Sequence, residues 1–267
     1  MPDLSVGGLR IHYDLAGGGP RTCLVVHGAG GSAAVWSRQL EGLADAARVL
    51  ALDLPGHGRS GGDGCARIDD YAAAVGGFLE AAKLGKVVLG GHSMGGAVAQ
   101  ALALAHPESL DGLILVGTGA RLRVLPQIFE SLRASYGEGV RFITDLALSP
   151  SASRALKDAV TAQTLETRPE VTIGDYAACD SFDVMQQIGA LRVPTLVVAG
   201  REDRLTPPRY AEFLARAVPG ARLLVVERAG HYVHLEQPDL VNQAIREFLA
   251  TLGDRGLVET SLPEPGY

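Results

Sequence analysis

Cysteine is scarce in this chain. Cys23, Cys65 and Cys179 are far apart and odd in number, so neither a disulfide framework nor a metal-ligand spacing can be drawn from them. Cys23 lies inside an apolar run and reads as a small core residue. Uncharged apolar runs of the roughly 18 residues that a membrane span needs are absent. The start, Met1-Pro2-Asp3-Leu4, has neither the basic segment nor the apolar core of a secretory signal. A soluble cytoplasmic protein without stable membrane association is the expectation. Positive charge is also in deficit: 24 Lys and Arg face 30 Asp and Glu, a net charge of −6. A negative surface attracts neither nucleic acid nor anionic lipid, so neither is expected as a partner. What remains is an ordinary globular composition, 47% hydrophobic and 20% charged over 267 residues. That length suits one large α/β domain burying roughly three quarters of its unfolded surface.

Short apolar, partly β-branched runs recur at Thr22–Val26, Arg48–Leu52, Lys86–Leu89, Leu113–Val116, Thr195–Val198 and Arg222–Val226. They read as strands buried on both faces, while the alternation over Leu9–Leu15 reads as a strand near a sheet edge. Helical patterns fall between them at Tyr71–Ala82, Gly96–Ala105, Arg209–Ala217 and Pro238–Leu252. Strands alternating with helices predict a mostly parallel sheet flanked by helices. The rhythm breaks over 119–189, where helical patches at Leu125–Ala134, Val140–Leu148 and Ala152–Leu165 replace strand signals. The expected organisation is a core of 1–118 and 190–252, with a helical cap at 119–189 inserted between two strands. The polar, Pro- and Gly-containing segment 253–267 is expected to be a loose tail.

Gly91-His92-Ser93-Met94-Gly95 fits G-x-S-x-G between a strand-like run and a helix-like one. With 34 glycines in the chain the pattern alone could recur by chance, and the strand–helix context is what raises its weight. A serine on so tight a turn stands off the sheet at a helix N-terminus, which favours a developing anion. Ser93 is therefore the candidate nucleophile. A hydroxyl needs a base, and the base an orienting acid. His231 follows the strand ending at Val226, at the sheet rim where open α/β sheets place their sites, with His234 as the competitor. Asp203 follows the strand ending at Val198, with Glu202 adjacent. The strand ending at Val116 leads to Gly117-Thr118-Gly119, which offers no carboxylate. Ser93, Asp203, His231 is the nucleophile, acid, histidine order of the α/β-hydrolase pattern.

Acyl transfer also needs two backbone donors for the oxyanion. Met94 should supply one, and the loop His27-Gly28-Ala29-Gly30-Gly31 the other, from Ala29 or alternatively Gly30. That loop matches neither a dinucleotide nor a P-loop phosphate signature. The other histidines read as structural. His12 lies on the edge-like strand, His106 at a helix end, and His27 and His57 in loops they could pin, while His92 could shape the turn or face the pocket. No metal and no cofactor is expected.

With these pieces placed, the chain resembles the α/β-hydrolase family, in its capped serine esterase, lactonase and C–C hydrolase branch. The resemblance runs from about Leu9 to Leu252. It is carried by His27-Gly28-Ala29-Gly30-Gly31, Asp53-Leu54-Pro55-Gly56-His57-Gly58-Arg59-Ser60, Gly91-His92-Ser93-Met94-Gly95, Gly200-Arg201-Glu202-Asp203 and Gly230-His231. It implies Ser93 as nucleophile, His231 as base, Asp203 as its orienter, and the amides of Ala29 and Met94 as the oxyanion hole. It gives the Asp53–Ser60 loop a structural part. Serine rather than aspartate at the nucleophile argues against epoxide opening and dehalogenation. Ala-Gly-Gly after His27-Gly28, in place of the Gly-Pro-Gly common in C–C hydrolases of the family, lowers that reading. The expectation is a carboxylic ester hydrolase acting on small, largely apolar substrates through an acyl-enzyme. A lactonase or C–C hydrolase with the same triad is the alternative, and a small-molecule receptor of hydrolase fold the third reading. Gly28, His92, Trp36, Phe129, Phe142 and Phe182 are expected near the pocket, with Leu125, Ile128, Leu146 and Met185 as further candidates. Oligomeric state is not encoded in any motif.

Overall fold

The computed structural model describes residues 2–253. The expected tail at 253–267 therefore lies, apart from Gly253, outside the described residues. The strands are β1 (Asp3–Val6), β2 (Leu9–Ala16), β3 (Thr22–Val26), β4 (Arg48–Leu52), β5 (Val87–His92), β6 (Leu110–Val116), β7 (Thr195–Gly200) and β8 (Arg222–Val226). They form one sheet in the order β1-β2-β4-β3-β5-β6-β7-β8. Only the β1–β2 and β2–β4 pairs are antiparallel; every later pair is parallel. The helices are α1 (Ser37–Gly42), α2 (Ile68–Ala81), α3 (Met94–Ala105), α4 (Pro126–Ala134), α5 (Tyr136–Ala147), α6 (Arg154–Leu165), α7 (Pro169–Ser181), α8 (Pro208–Ala217), α9 (Val233–Glu236) and α10 (Pro238–Ala250).

The central strands carry apolar residues on both faces because both faces are covered. Leu24 and Val26 of β3, with Leu50 and Leu52 of β4, belong to the core cluster that includes α2 and α3 residues. Their sequence neighbours Cys23, Val25, Val49 and Ala51 point into the opposite cluster, with Trp36, Ile245 and Phe248. Helices α4 to α7 all lie between β6 and β7 in the chain.

Three differences from the sequence reading have plain causes. The strand Leu9–Ala16 lies near the edge, as expected, but β1 pairs outside it, so His12 is not on an edge strand; four residues are too few for a periodicity to register. His12 is consequently buried, its Nδ1 2.7 Å from Asp3 Oδ1. His106 satisfies a carbonyl with its backbone amide, which donates to Leu102 at 2.7 Å, while its ring faces Glu108. Helix α7 has no counterpart among the sequence-predicted helical patches. Its buried positions Val171, Thr172, Asp175, Ala178 and Cys179 have helical spacing, but two of them are polar, so no apolar stripe is visible.

Candidate active site

The loops carrying the candidate residues all leave the C-terminal ends of parallel strands: 27–31 after β3, Ser93 after β5, Asp203 after β7 and His231 after β8. Ser93 has φ 52° and ψ −115°, a left-handed backbone that a non-glycine residue adopts only when its surroundings enforce it. The enforcement is visible at the flanking glycines. A Cβ on Gly91 would stand 2.1 Å from the Gly95 carbonyl oxygen, and one on Gly95 would stand 2.3 Å from that of Val26. The turn closes only because neither residue has a side chain. Met94 opens α3, so its amide lacks an intrahelical acceptor.

Asp203 and His231 are joined: Nδ1 of the ring is 2.8 Å from Asp203 Oδ2, and both residues are buried. A carboxylate only accepts, so Nδ1 carries the hydrogen and Nε2 keeps the lone pair. Asp203 is itself immobilised. Its Oδ1 accepts the amides of Leu205 (2.9 Å) and Thr206 (2.8 Å), and its Oδ2 accepts the Thr206 hydroxyl at 2.8 Å. The Thr206 oxygen also lies 3.1 Å from His231 Nδ1. Glu202, the alternative acid, is only half buried and does not contact this ring. Thr206 was missed from the sequence. Its signal was the Asp-x-x-Thr spacing just before Pro207-Pro208 and a helix, where an aspartate accepts successive amides.

The histidine loop is anchored on α5, since the His231 amide donates to the Ala147 carbonyl at 2.6 Å. Gly230 meets that same carbonyl so closely that a Cβ would approach it to 2.4 Å. Glu236 ties the arrangement together by accepting the amides of Gly230 and Ser149, each at 2.9 Å.

Ser93 and His231 line one cavity of about 60 Å³ with Gly28, Ala29 and His92 on its core side; Ile128, Ile143 and Tyr176 come from the inserted helices. Leu125, Cys179, Tyr232 and the one arginine, Arg123, also face it. Among the described residues no hydrogen bond joins the Ser93 hydroxyl to His231. Such contacts are often long in unliganded enzymes and tighten around substrate. Nor is any group of three or more His, Cys, Asp or Glu among the described residues placed to hold a metal ion.

Several residues expected at the pocket sit elsewhere. Trp36 is fully buried in the core cluster on the other face of the sheet, its ring 4.5 Å from that of His234. Phe182 fills the main core. Phe142 is 39% exposed, and Phe129 lies beneath the Arg133 guanidinium, 5.4 Å from ring centroid to carbon. Leu146 is absent from the lining, and Met185 belongs to a separate cleft with Arg209 and Tyr210. Helical spacing names the positions that can turn inward but not which of two packed faces meets the cavity.

The His92 ring lies 4.7 Å from that of His231, tilted by 57°, and its Nε2 lies 3.1 Å from the His231 carbonyl, to which it donates. Burial drives its pKa well below the usual imidazole value, aided by His234 and His231. Burial likewise lowers His234 to about 3, and a proton on His231 would add to the effect. It lowers His27 to about 3, with the nearby His57 charge adding to the effect. These groups stay neutral in the folded state while the unfolded chain protonates them near pH 6.5. Stability should therefore be constant above that pH on their account. It should fall as the pH drops below 6.5, by about 1.4 kcal/mol per pH unit for each of His27 and His234 down to about pH 3, with His92 acting in the same direction. Urea midpoints measured at pH 7.5 and 5.5 check this; equal midpoints would contradict the neutral assignment.

One comparison decides the family. Residues 23–244 match the sequence model of the alpha/beta hydrolase family. The chain belongs to that family. It is a hydrolase, built on the sheet and flanking helices that the family shares. It is 36% identical to a structurally characterised thermophilic esterase, with a TM-score of 0.85 and coverage of 94% of this chain and 98% of that one. An N-acyl homoserine lactone degrading enzyme is 27% identical, with a TM-score of 0.82 over 92% and 100% of the two chains. A 2-hydroxy-6-oxononadienedioate/2-hydroxy-6-oxononatrienedioate hydrolase from Burkholderia vietnamiensis is 29% identical over 90% of this chain and 91% of its own. None of the described helices is long and apolar enough to cross a membrane.

Proposed function

We propose that this alpha/beta hydrolase cleaves carboxylic esters of small, largely apolar substrates through an acyl-enzyme on Ser93. The observation that carries the proposal is the buried 2.8 Å contact between His231 Nδ1 and Asp203, which leaves Nε2 as the basic nitrogen of a ring sharing a cavity with Ser93. His231 takes the Ser93 proton as Oγ attacks the ester carbonyl, and the alkoxide of the tetrahedral intermediate is held by the amides of Ala29 and Met94. His231 then gives its proton to the leaving alcohol. A water molecule repeats the sequence to free the acid. Ala29 is preferred over Gly30 because the Gly30 amide already donates to Asp175 Oδ2 at 2.8 Å. Helices α4 to α7 act as the cap, with α4, α5 and α7 supplying the apolar wall of the acyl pocket. The likeness to a thermophilic esterase at 36% identity supports the ester reading.

Labelling with a fluorophosphonate followed by peptide mapping tests it: the label is expected on Ser93 alone, and an unlabelled Ser93 overturns the proposal. A cavity of about 60 Å³ also predicts a short-chain preference. Overfilling a packed site costs roughly 1–3 kcal/mol. In kcat/KM, p-nitrophenyl acetate and butyrate should thus exceed the decanoate by about tenfold or more; a flat chain-length profile would show that the cap does not bound the acyl group.

A second reading, a lactonase or C–C hydrolase using the same residues, draws on the lactone-degrading relative and on the relative whose named substrate carries a 6-oxo group. Assaying ester, lactone and 2-hydroxy-6-oxo-dienoate substrates side by side separates them.

A further inference from the structure

Outside the Asp203–His231 pair, three donors converge on a second buried carboxylate, Asp175, in the middle of α7. It is 0% exposed. Its Oδ2 accepts the Gly30 amide at 2.8 Å and lies 2.7 Å from His57 Nε2; its Oδ1 accepts the Tyr71 hydroxyl at 2.6 Å. The donors come from three separate core segments: the loop after β3, the loop after β4, and α2. The other ring nitrogen of His57 lies 3.0 Å from the Pro55 carbonyl. Carbonyl and carboxylate both only accept, so both nitrogens carry hydrogens and His57 is an imidazolium. Burial alone would strip that proton, but the charge and hydrogen bond of Asp175 hold the His57 pKa above its ordinary value. Asp175 and His57 thus form a buried ion pair, an arrangement that is costly unless every polar atom is satisfied.

A second contact from the same side reaches the same residue. Thr167, buried between α6 and α7, donates its hydroxyl to the Gly30 carbonyl at 2.9 Å. Gly30 has φ +64°, and a Cβ there would crowd Thr164 and Thr172 at 3.1 Å. The Gly28 carbonyl, which shares a peptide unit with the Ala29 amide, faces His27 Nδ1 at 2.8 Å and accepts the Gly31 amide at 3.0 Å, and His27 Nε2 accepts the Leu54 amide at 3.1 Å. Ala29 therefore lies between contacts made within its own loop on the Gly28 side and two contacts from the inserted segment, Asp175 and Thr167, on the Gly30 side.

We infer that Asp175 and Thr167 are positioning residues: by gripping Gly30 at both its amide and its carbonyl, the seated cap sets the aim of the Ala29 amide. The inference rests on the oxyanion role proposed for Ala29. It makes the cap a component of the catalytic step as well as a wall of the pocket. A cap that is displaced would leave the nucleophile and its base intact but one oxyanion donor misdirected. Losing one such donor costs about a hundredfold to a thousandfold in kcat.

The test compares Asp175→Ala, Asp175→Asn and Thr167→Val in the full chain. Turnover is normalised to the serine titrated by a fluorophosphonate, so that any unfolded fraction drops out. Asp175→Ala should lower kcat on p-nitrophenyl butyrate by about a hundredfold with little change in KM. Affinity for a trifluoromethyl ketone, whose hemiketal oxyanion occupies the same position, should weaken in step. Asp175→Asn keeps a carbonyl that can accept the Gly30 amide and should recover most of the loss. Thr167→Val alters no charge and should lower kcat by about tenfold, half or less of the Asp175→Ala effect on a logarithmic scale. It remains informative if Asp175→Ala does not fold. Melting temperatures that fall while kcat per titrated serine and ketone affinity stay within about twofold would overturn the inference, leaving Asp175 and Thr167 purely structural. Failure of the underlying hydrolase mechanism looks different: the parent protein itself would have no titratable Ser93.

Discussion

Replacing Ser93 by alanine is expected to lower ester turnover by about a millionfold, because in the proposed mechanism nucleophile, base and acid act as a unit and the loss of one forfeits nearly the whole effect. Alanine keeps the Cβ that the elbow already accommodates at φ 52°, and Ser93 contributes its backbone carbonyl, not its hydroxyl, to the hydrogen bond from Thr118. The variant should therefore fold, retain a KM close to that of the parent, and show no burst with an activated ester. Stopped-flow kinetics with p-nitrophenyl acetate measure both burst and steady state. A variant retaining a hundredth or more of parental turnover would move the nucleophile elsewhere in the cavity.

Asp203→Asn should cost about ten-thousandfold in kcat by forcing the wrong imidazole tautomer. The surroundings dictate which way the new amide points. Oδ1 of Asp203 accepts two backbone amides, from Leu205 and Thr206, so the asparagine oxygen must remain there. Its NH2 group then replaces Oδ2 and faces His231 Nδ1, which lies 2.8 Å from Oδ2. Two N–H groups cannot share that contact, so Nδ1 becomes the acceptor and the ring hydrogen moves to Nε2. The ring can no longer take a proton from Ser93. The paired measurement is Glu202→Gln, whose half-buried side chain does not touch the ring; kcat/KM should stay within about threefold of the parent. If Glu202→Gln proves the more damaging change, the acid has been assigned to the wrong neighbour.

These expectations differ in how far they could be read before folding. The α/β architecture was legible because the central strands are buried on both faces and so appear as unbroken apolar runs, separated by amphipathic helices. The elbow was legible for a related reason: Gly91 and Gly95 are required by close backbone approach, and a steric requirement that only glycine meets leaves a mark in the sequence. Strand β1 and helix α7 escaped, the one through shortness and the other because Thr172 and Asp175 interrupt its buried stripe. The same interruption hid the clamp on Gly30, since nothing local ties Asp175 to His57, Tyr71 and the loop after β3.

The alternation of the central strands with their flanking helices, the loops after β3, β5, β7 and β8, and the residue types at their tips follow from the chain alone, because steric and periodic constraints act over a few residues. Folding decided which carboxylate meets His231, which amide in the 27–31 loop remains unengaged, and that Trp36, Phe129, Phe142 and Phe182 turn away from the cavity. Those outcomes depend on contacts between segments tens to hundreds of residues apart. Hydrogen bonds of 2.6 to 2.9 Å such as those to Asp175 and Asp203 tolerate only small displacements, and no local pattern of residues encodes them.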